Sequence, residues 1–242
     1  MNGNNLLSKV RASTAAMGII LCLASDYSGA QELSSDALPV FGPAAFARTE
    51  SQKQSAEAFI RSMTARFGSR ESGSRALAAQ GWKQLRGGRV AAALDAFNQS
   101  WLLNAKNHEP YWGFGAVLSE SGNLKEAIEQ LETARELLEE RKQLVQLLAD
   151  IGAVRSAYAR GLPRNRELER AQQFSAANQR FAESLEIDPE FSATWREWAI
   201  SLFEQERYSE AWIKASRARE LKAEPFPADF LRQLNDKIAE QK

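Results

Sequence analysis

Apolar positions recur with a helical period along most of this chain. Phe59, Ile60, Met63 and Phe67 fall on one face of a helix that Gly68 ends. Just upstream, "SQKQ" places Ser51 as an N-cap with Gln54 three residues on, the spacing of a capping box. A helix over 51–68 follows from these signals. At the other end, Phe230, Leu231, Leu234 and Ile238 form a stripe with charged residues on the remaining faces. Pro225 and Pro227 stand just before it, so the segment 225–242 reads as a separate terminal helix.

Between these ends the pattern repeats. Ala93, Ala127, Ala177 and Ala211 each stand in an amphipathic run, with Phe97, Leu131, Phe181 or Ala215 four residues later. Ser100, Ala134, Ser184 and Ala218, all small, come three residues after those. The first two alanines are 34 residues apart and so are the last two, whereas Ala127 and Ala177 are separated by 50. A partner helix upstream of each carries its own small residue: Gly81, Gly115, Gly152 or Ala199. A mid-helix glycine costs roughly 1 kcal/mol relative to alanine. A close helix crossing is the compensation, because interaxial distance depends on the side chains at the contact. Gly115 and Ala127 are therefore expected where the two helices of one unit cross; Gly113 has no such account. "GFG" at Gly113–Gly115 is not a phosphate loop, since it lies mid-helix, follows no strand and lacks a third glycine.

A 34-residue helix–turn–helix period with these positions resembles the tetratricopeptide repeat family. The matching residues are Leu77, Gly81 and Ala93; Tyr111, Phe114, Gly115, Leu118 and Ala127; and Trp195, Trp198, Ala199, Leu202 and Ala211. The third unit departs most. Its first helix is expected around Leu148–Tyr158, followed by an insert near 159–170. The resemblance covers roughly residues 74–223. It implies an all-α solenoid of about four helix pairs, with the helices at 51–68 and 225–242 capping its ends.

The first thirty residues differ from the rest. Lys9 and Arg11 precede the apolar run "ASTAAMGIILCLAS", and Ser28 and Ala30 are small residues ahead of Gln31. That is the layout of a secretory signal peptide over 1–30, cleaved after Ala30. The run is shorter than the ~20 residues a bilayer span needs. Export to the periplasm is expected, with a retained membrane anchor or secretion as alternatives. The single cysteine, Cys22, lies inside this segment, so the exported chain has no thiol and no disulfide framework. Residues 31–50, with Pro39 and Pro43 and no sustained period, read as a flexible arm.

Charge and chemistry narrow the function. Lys plus Arg and Asp plus Glu are both 31, so no net field draws nucleic acid or an anionic membrane. His108 is the sole histidine, placed in a turn, and reads as a solvated surface residue. No second histidine or thiol completes a zinc site, and no calcium loop or serine-nucleophile motif is present. A non-enzymatic protein without cofactor, metal or small-molecule substrate is expected, with a protein or peptide as partner. The repeat resemblance implies that the first helix of each unit lines a concave binding face. Carried onto this chain it nominates Trp82, Leu85 and Arg86; Glu109, Trp112, Ser119 and Glu120; and Arg196, Ile200, Phe203 and Glu204, with Ala153 and Ser156 in the third unit. Trp and Arg dominate binding hot spots, so Trp82, Arg86, Trp112, Ser119, Glu120, Arg196 and Phe203 are the candidate partner-binding set. Trp82 and Trp112 have a second role open to them, filling gaps between neighbouring units. An envelope scaffold or adaptor is the expected function. The alternative is a structural assembly subunit that contacts its complex through the insert at 160–170 or the arm at 31–50.

Overall fold

The computed structural model describes residues 49–241, and among these every regular element is a helix. The signal segment, nearly all of the 31–50 arm, and Cys22 lie outside the described residues. The chain divides into two compact units at Asn104, each treated below on its own.

The first unit holds α1 (Glu50–Phe67), α2 (Arg70–Arg86) and α3 (Val90–Leu103). The cap of α1 is Thr49 rather than Ser51. Thr49 Oγ1 accepts from the Gln52 N–H at 3.2 Å, and Gln52 Oε1 accepts from the Thr49 N–H at 3.0 Å. The T-x-x-Q spacing at 49–52 satisfies the same capping-box rule two residues earlier. Gly68, in the left-handed conformation at φ 81°, ends the helix as expected. Met63, Leu77 and Leu103 form a small core, flanked by Phe59, Ile60 and Phe67. α2 and α3 nest because Gly81 has no Cβ; one placed there would come within 2.6 Å of the Phe97 ring. The buried hydroxyls of Ser74 and Ser100 fasten the same pair. Each donates to the other's backbone carbonyl, at 2.8 and 2.7 Å.

The second unit holds α4 (His108–Glu120), α5 (Leu124–Leu137), α6 (Arg141–Gly161), α7 (Glu167–Ile187), α8 (Ser192–Glu204), α9 (Tyr208–Glu220) and α10 (Phe230–Glu240). The helices pack in consecutive pairs, α4 with α5, α6 with α7 and α8 with α9. A Cβ on Gly115 would lie 2.5 Å from Leu131 Cγ and 3.2 Å from the Ala127 carbonyl oxygen, so this crossing is where the sequence places it. A Cβ on Gly152 would lie 2.6 Å from the Phe181 ring. In the last pair the small–small couple Ala199 and Ala215 is fully buried in the same way.

The third pair carries its extra residues, expected as an insert near 159–170, largely within its two helices. α6 and α7 are 21 residues each, against 13 and 14 for α4 and α5. Only Leu162–Arg166 connects them, with a single 3-10 turn at Arg164–Arg166. The surplus thus lengthens both helices by about two turns. "ELERAQQF" lacks glycine and proline and is rich in strong helix formers, so α7 starts at Glu167.

The pairs also share a turn. Gly88 and Gly122 adopt φ 72° and 84°, and Glu206 occupies the matching place at φ 60°. In each case the next N–H donates to a carbonyl five residues back: Arg89 to Gln84, Asn123 to Leu118, Arg207 to Leu202. That is a Schellman closure, which needs a left-handed residue after the helix. α10 lies against α9 and buries Phe230 and Leu234 on the cluster of Ala199, Leu202, Ala211 and Ala215.

Candidate recognition surface

Within the second unit, hydrogen bonds join the first helices of successive pairs side by side. Trp112 on α4 donates its indole N–H to Asp150 Oδ2 on α6 at 2.9 Å. Gln146, one turn back on α6, donates to Asp150 Oδ1 at 2.6 Å. His108 Nε2 and Gln143 Oε1 meet at 2.9 Å. Further along α6, the Ser156 hydroxyl donates to Ser201 Oγ on α8 at 2.7 Å, and Arg160 pairs with Glu204 at 3.2 Å. α6 is therefore bonded to α4 through Gln143 and Asp150 and to α8 through Ser156 and Arg160. His108 is consequently half-buried and bonded, not the free turn residue expected from sequence.

The electrostatics of this row are unusual for a surface. Burial pushes the Asp150 carboxyl up to about 7, and the neighbouring charge of Glu197 on α8 adds to the effect. The bonds from Gln146 and Trp112 work in the opposite direction without overcoming it. Burial also raises Glu197, with Glu224 adding to the shift and its ion pair with Arg196 opposing it. Asp150 thus feels the charge of Glu197 from the adjacent helix, whereas Glu197 is raised by its own burial and by Glu224.

The nominated residues fall in different settings. Trp112 is half-buried in this row, and Arg196 adjoins it through Glu197. Glu120 is exposed at the end of α4. Ser119 is buried, with 6% of its surface exposed, so its side chain is withdrawn from any open face. Phe203 packs against Tyr208 and Phe230, ring centroids 5.4 Å apart in both cases, and so faces the chain's own terminal helix. Arg196 donates to the Pro225 carbonyl from the segment ahead of α10. In the first unit, Trp82 lies edge-on to Phe97 at 5.3 Å and is half-buried, and Arg86 is exposed in the last turn of α2. Asp150, Gln146 and Glu197 were not nominated. Asp150 had a legible signal, a carboxylate inside the apolar run "LLADIG", but the register of the third pair could not place it.

A second cluster binds three helices together. Glu132 on α5 accepts from Arg155 on α6 at 2.9 Å, Arg180 on α7 at 3.2 Å and Arg135 at 2.6 Å. Burial pulls Glu132 upward, yet the three guanidiniums win and hold it below the usual carboxylate range. Among the described residues no group of His, Cys, Asp and Glu is arranged to hold a metal ion, and no helix is long and apolar enough to cross a membrane. The described residues are all-helical and built from paired helices. No protein-family model matches it, and no curated protein sequence is significantly similar to it.

Proposed function

We propose that this chain is a tetratricopeptide-type interaction protein of the bacterial envelope, exported and non-enzymatic, which holds a peptide or protein segment on the face lined by the first helices of its pairs. The 34-residue spacing, the small residue at each crossing and the shared left-handed turn support the repeat assignment. The observation that carries the binding reading is the Trp112–Asp150–Glu197 row. It combines a large amphipathic aromatic, which suits a hot spot, with partly desolvated carboxyls that Trp112, Gln146 and Arg196 hold in place. The N-terminal pattern of basic, apolar and small residues supports export.

Capture of envelope proteins by tagged chain tests this reading. Trp112→Ala should reduce recovery of the bound partner about tenfold while circular dichroism stays helical, the scale of a hot-spot truncation. Unchanged recovery with intact helicity would contradict it. The alternative, an assembly subunit that docks through the α6–α7 connection, rests on Leu168, which is 75% exposed beside the exposed Arg164 and Arg166. Leu168→Asp should abolish capture under that alternative and leave it unchanged under the first.

A further inference from the structure

The segment between α9 and α10, residues 221–229, forms a strap over the start of α8. Arg196 donates Nε–H and Nη2–H to the Pro225 carbonyl oxygen, at 3.2 and 3.1 Å. Its guanidinium also lies 5.8 Å from the centre of the Phe226 ring. Phe226 in turn stacks on Phe230, with centroids 4.8 Å apart and ring planes within 8°. One aromatic ring therefore contacts both a cation and a parallel phenyl. Both of those contacts are fixed from behind, Arg196 by its ion pair with Glu197 and Phe230 by burial against Phe203. The strap is bounded by Lys222 at φ 56° and Asp229 at φ 65°, left-handed positions that cost a non-glycine residue about 1 kcal/mol each. A cleft of about 490 Å³ opens between it, Arg219 and the first turn of α10.

We propose that the slot between Arg196 and Phe230 is a peptide-recognition site for an extended segment carrying an aromatic residue between prolines, and that Pro225–Phe226–Pro227 is the chain's own occupant, displaced by such a segment on a partner. The chemistry is read from the occupant. The guanidinium takes the carbonyl that precedes the aromatic residue, the ring takes the cation–π and stacking contacts, and flanking prolines hold the backbone extended at little entropic cost. An internal occupant acts at a high effective concentration, commonly millimolar, so it suppresses weak ligands and admits only segments that bind well.

Fluorescence anisotropy of a labelled AEPFPADF peptide, the sequence of Ala223–Phe230, against the full chain tests the slot. Phe226→Ala should bind the peptide at least tenfold more tightly than the parent, because it removes the competing ring from Arg196 and Phe230 and leaves only the Pro225 carbonyl to be displaced. Adding Arg196→Gln should remove that gain, and a peptide with alanine for its first phenylalanine should not bind. Should Phe226→Ala fail to fold, Pro225→Gly with Pro227→Gly loosens the strap without removing the ring, and should raise affinity several-fold. Equal weak binding by the parent and the folded variants, or binding indifferent to Arg196, would overturn the proposal. So would concentration-dependent dimerisation of the parent that Phe226→Ala abolishes, since the occupant would then be a second copy's strap. The outcome is separable from the Trp112 test, which reads capture on α4 and α6.

Discussion

Asp150 is a carboxyl from which folding withdraws water, and that has a signed consequence. Its folded pKa, about 7, lies above the ordinary value of 3.8. Between those limits the folded chain keeps a proton that the unfolded chain has lost. Its contribution is therefore fully present below about pH 4 and is lost as pH rises through 7, at up to about 1.4 kcal/mol per pH unit. Asp150→Asn should flatten this dependence, so that in urea titrations the variant is more stable than the parent at pH 8 and loses its advantage toward pH 5. A constant difference across that range would contradict the assignment. Gly152 gives a second prediction at this scale. Alanine there meets the Phe181 ring at 2.6 Å, and overpacking of this kind costs roughly 1–3 kcal/mol even though alanine is the better helix former. Phe181→Leu in the same chain should recover part of the loss, seen as coupling in a double-mutant cycle. The crossing glycines were legible because a helix tolerates glycine only where something else compensates. The carboxyl row was not, because it depends on which turn of a 21-residue helix faces its neighbours.

At the level of helices and turns, the sequence signals differ in strength for physical reasons. Glycine at Gly88 and Gly122 announces the left-handed closure, but Glu206 adopts the same geometry with no sequence mark. Glu206→Gly should relieve the Cβ strain of a left-handed residue and raise stability by up to about 1 kcal/mol, read as a higher thermal midpoint. An unchanged or lower midpoint would show that the turn stores no strain there. The lengthening of α6 and α7 was hidden for another reason. Adding whole turns preserves the amphipathic face, so periodicity alone cannot tell a longer helix from an insert. Glu132 ties α5 to α6 and α7 through partly buried guanidiniums, with Arg155 and Arg180 16% and 18% exposed. Glu132→Gln should cost roughly 1–3 kcal/mol by leaving Arg155 without its carboxylate and Arg180 with Glu183 alone, and urea unfolding would measure it. No loss would mean the cluster is only a solvated charge network.

For the molecule as a whole, the described helices leave the first members of the pairs in the second unit bonded edge to edge, by Trp112 with Asp150 and Ser156 with Ser201. The proposed function follows from that alignment, since a row of adjacent helices presents one continuous surface on which a segment of another protein can lie. The paired-helix architecture was legible from spacing and small residues alone. Its continuity between α4, α6 and α8 needed the side-chain bonds, which no periodicity records. The most direct test places a photo-crosslinking residue in living cells at Ala116 or Ala153, one turn from Trp112 and Asp150, and as a control at Ile213, which is 63% exposed on α9. The account predicts that Ala116 and Ala153 trap the same envelope protein and Ile213 does not; trapping from Ile213 alone, or from none of the three in cells where the chain pulls down a partner, would contradict it.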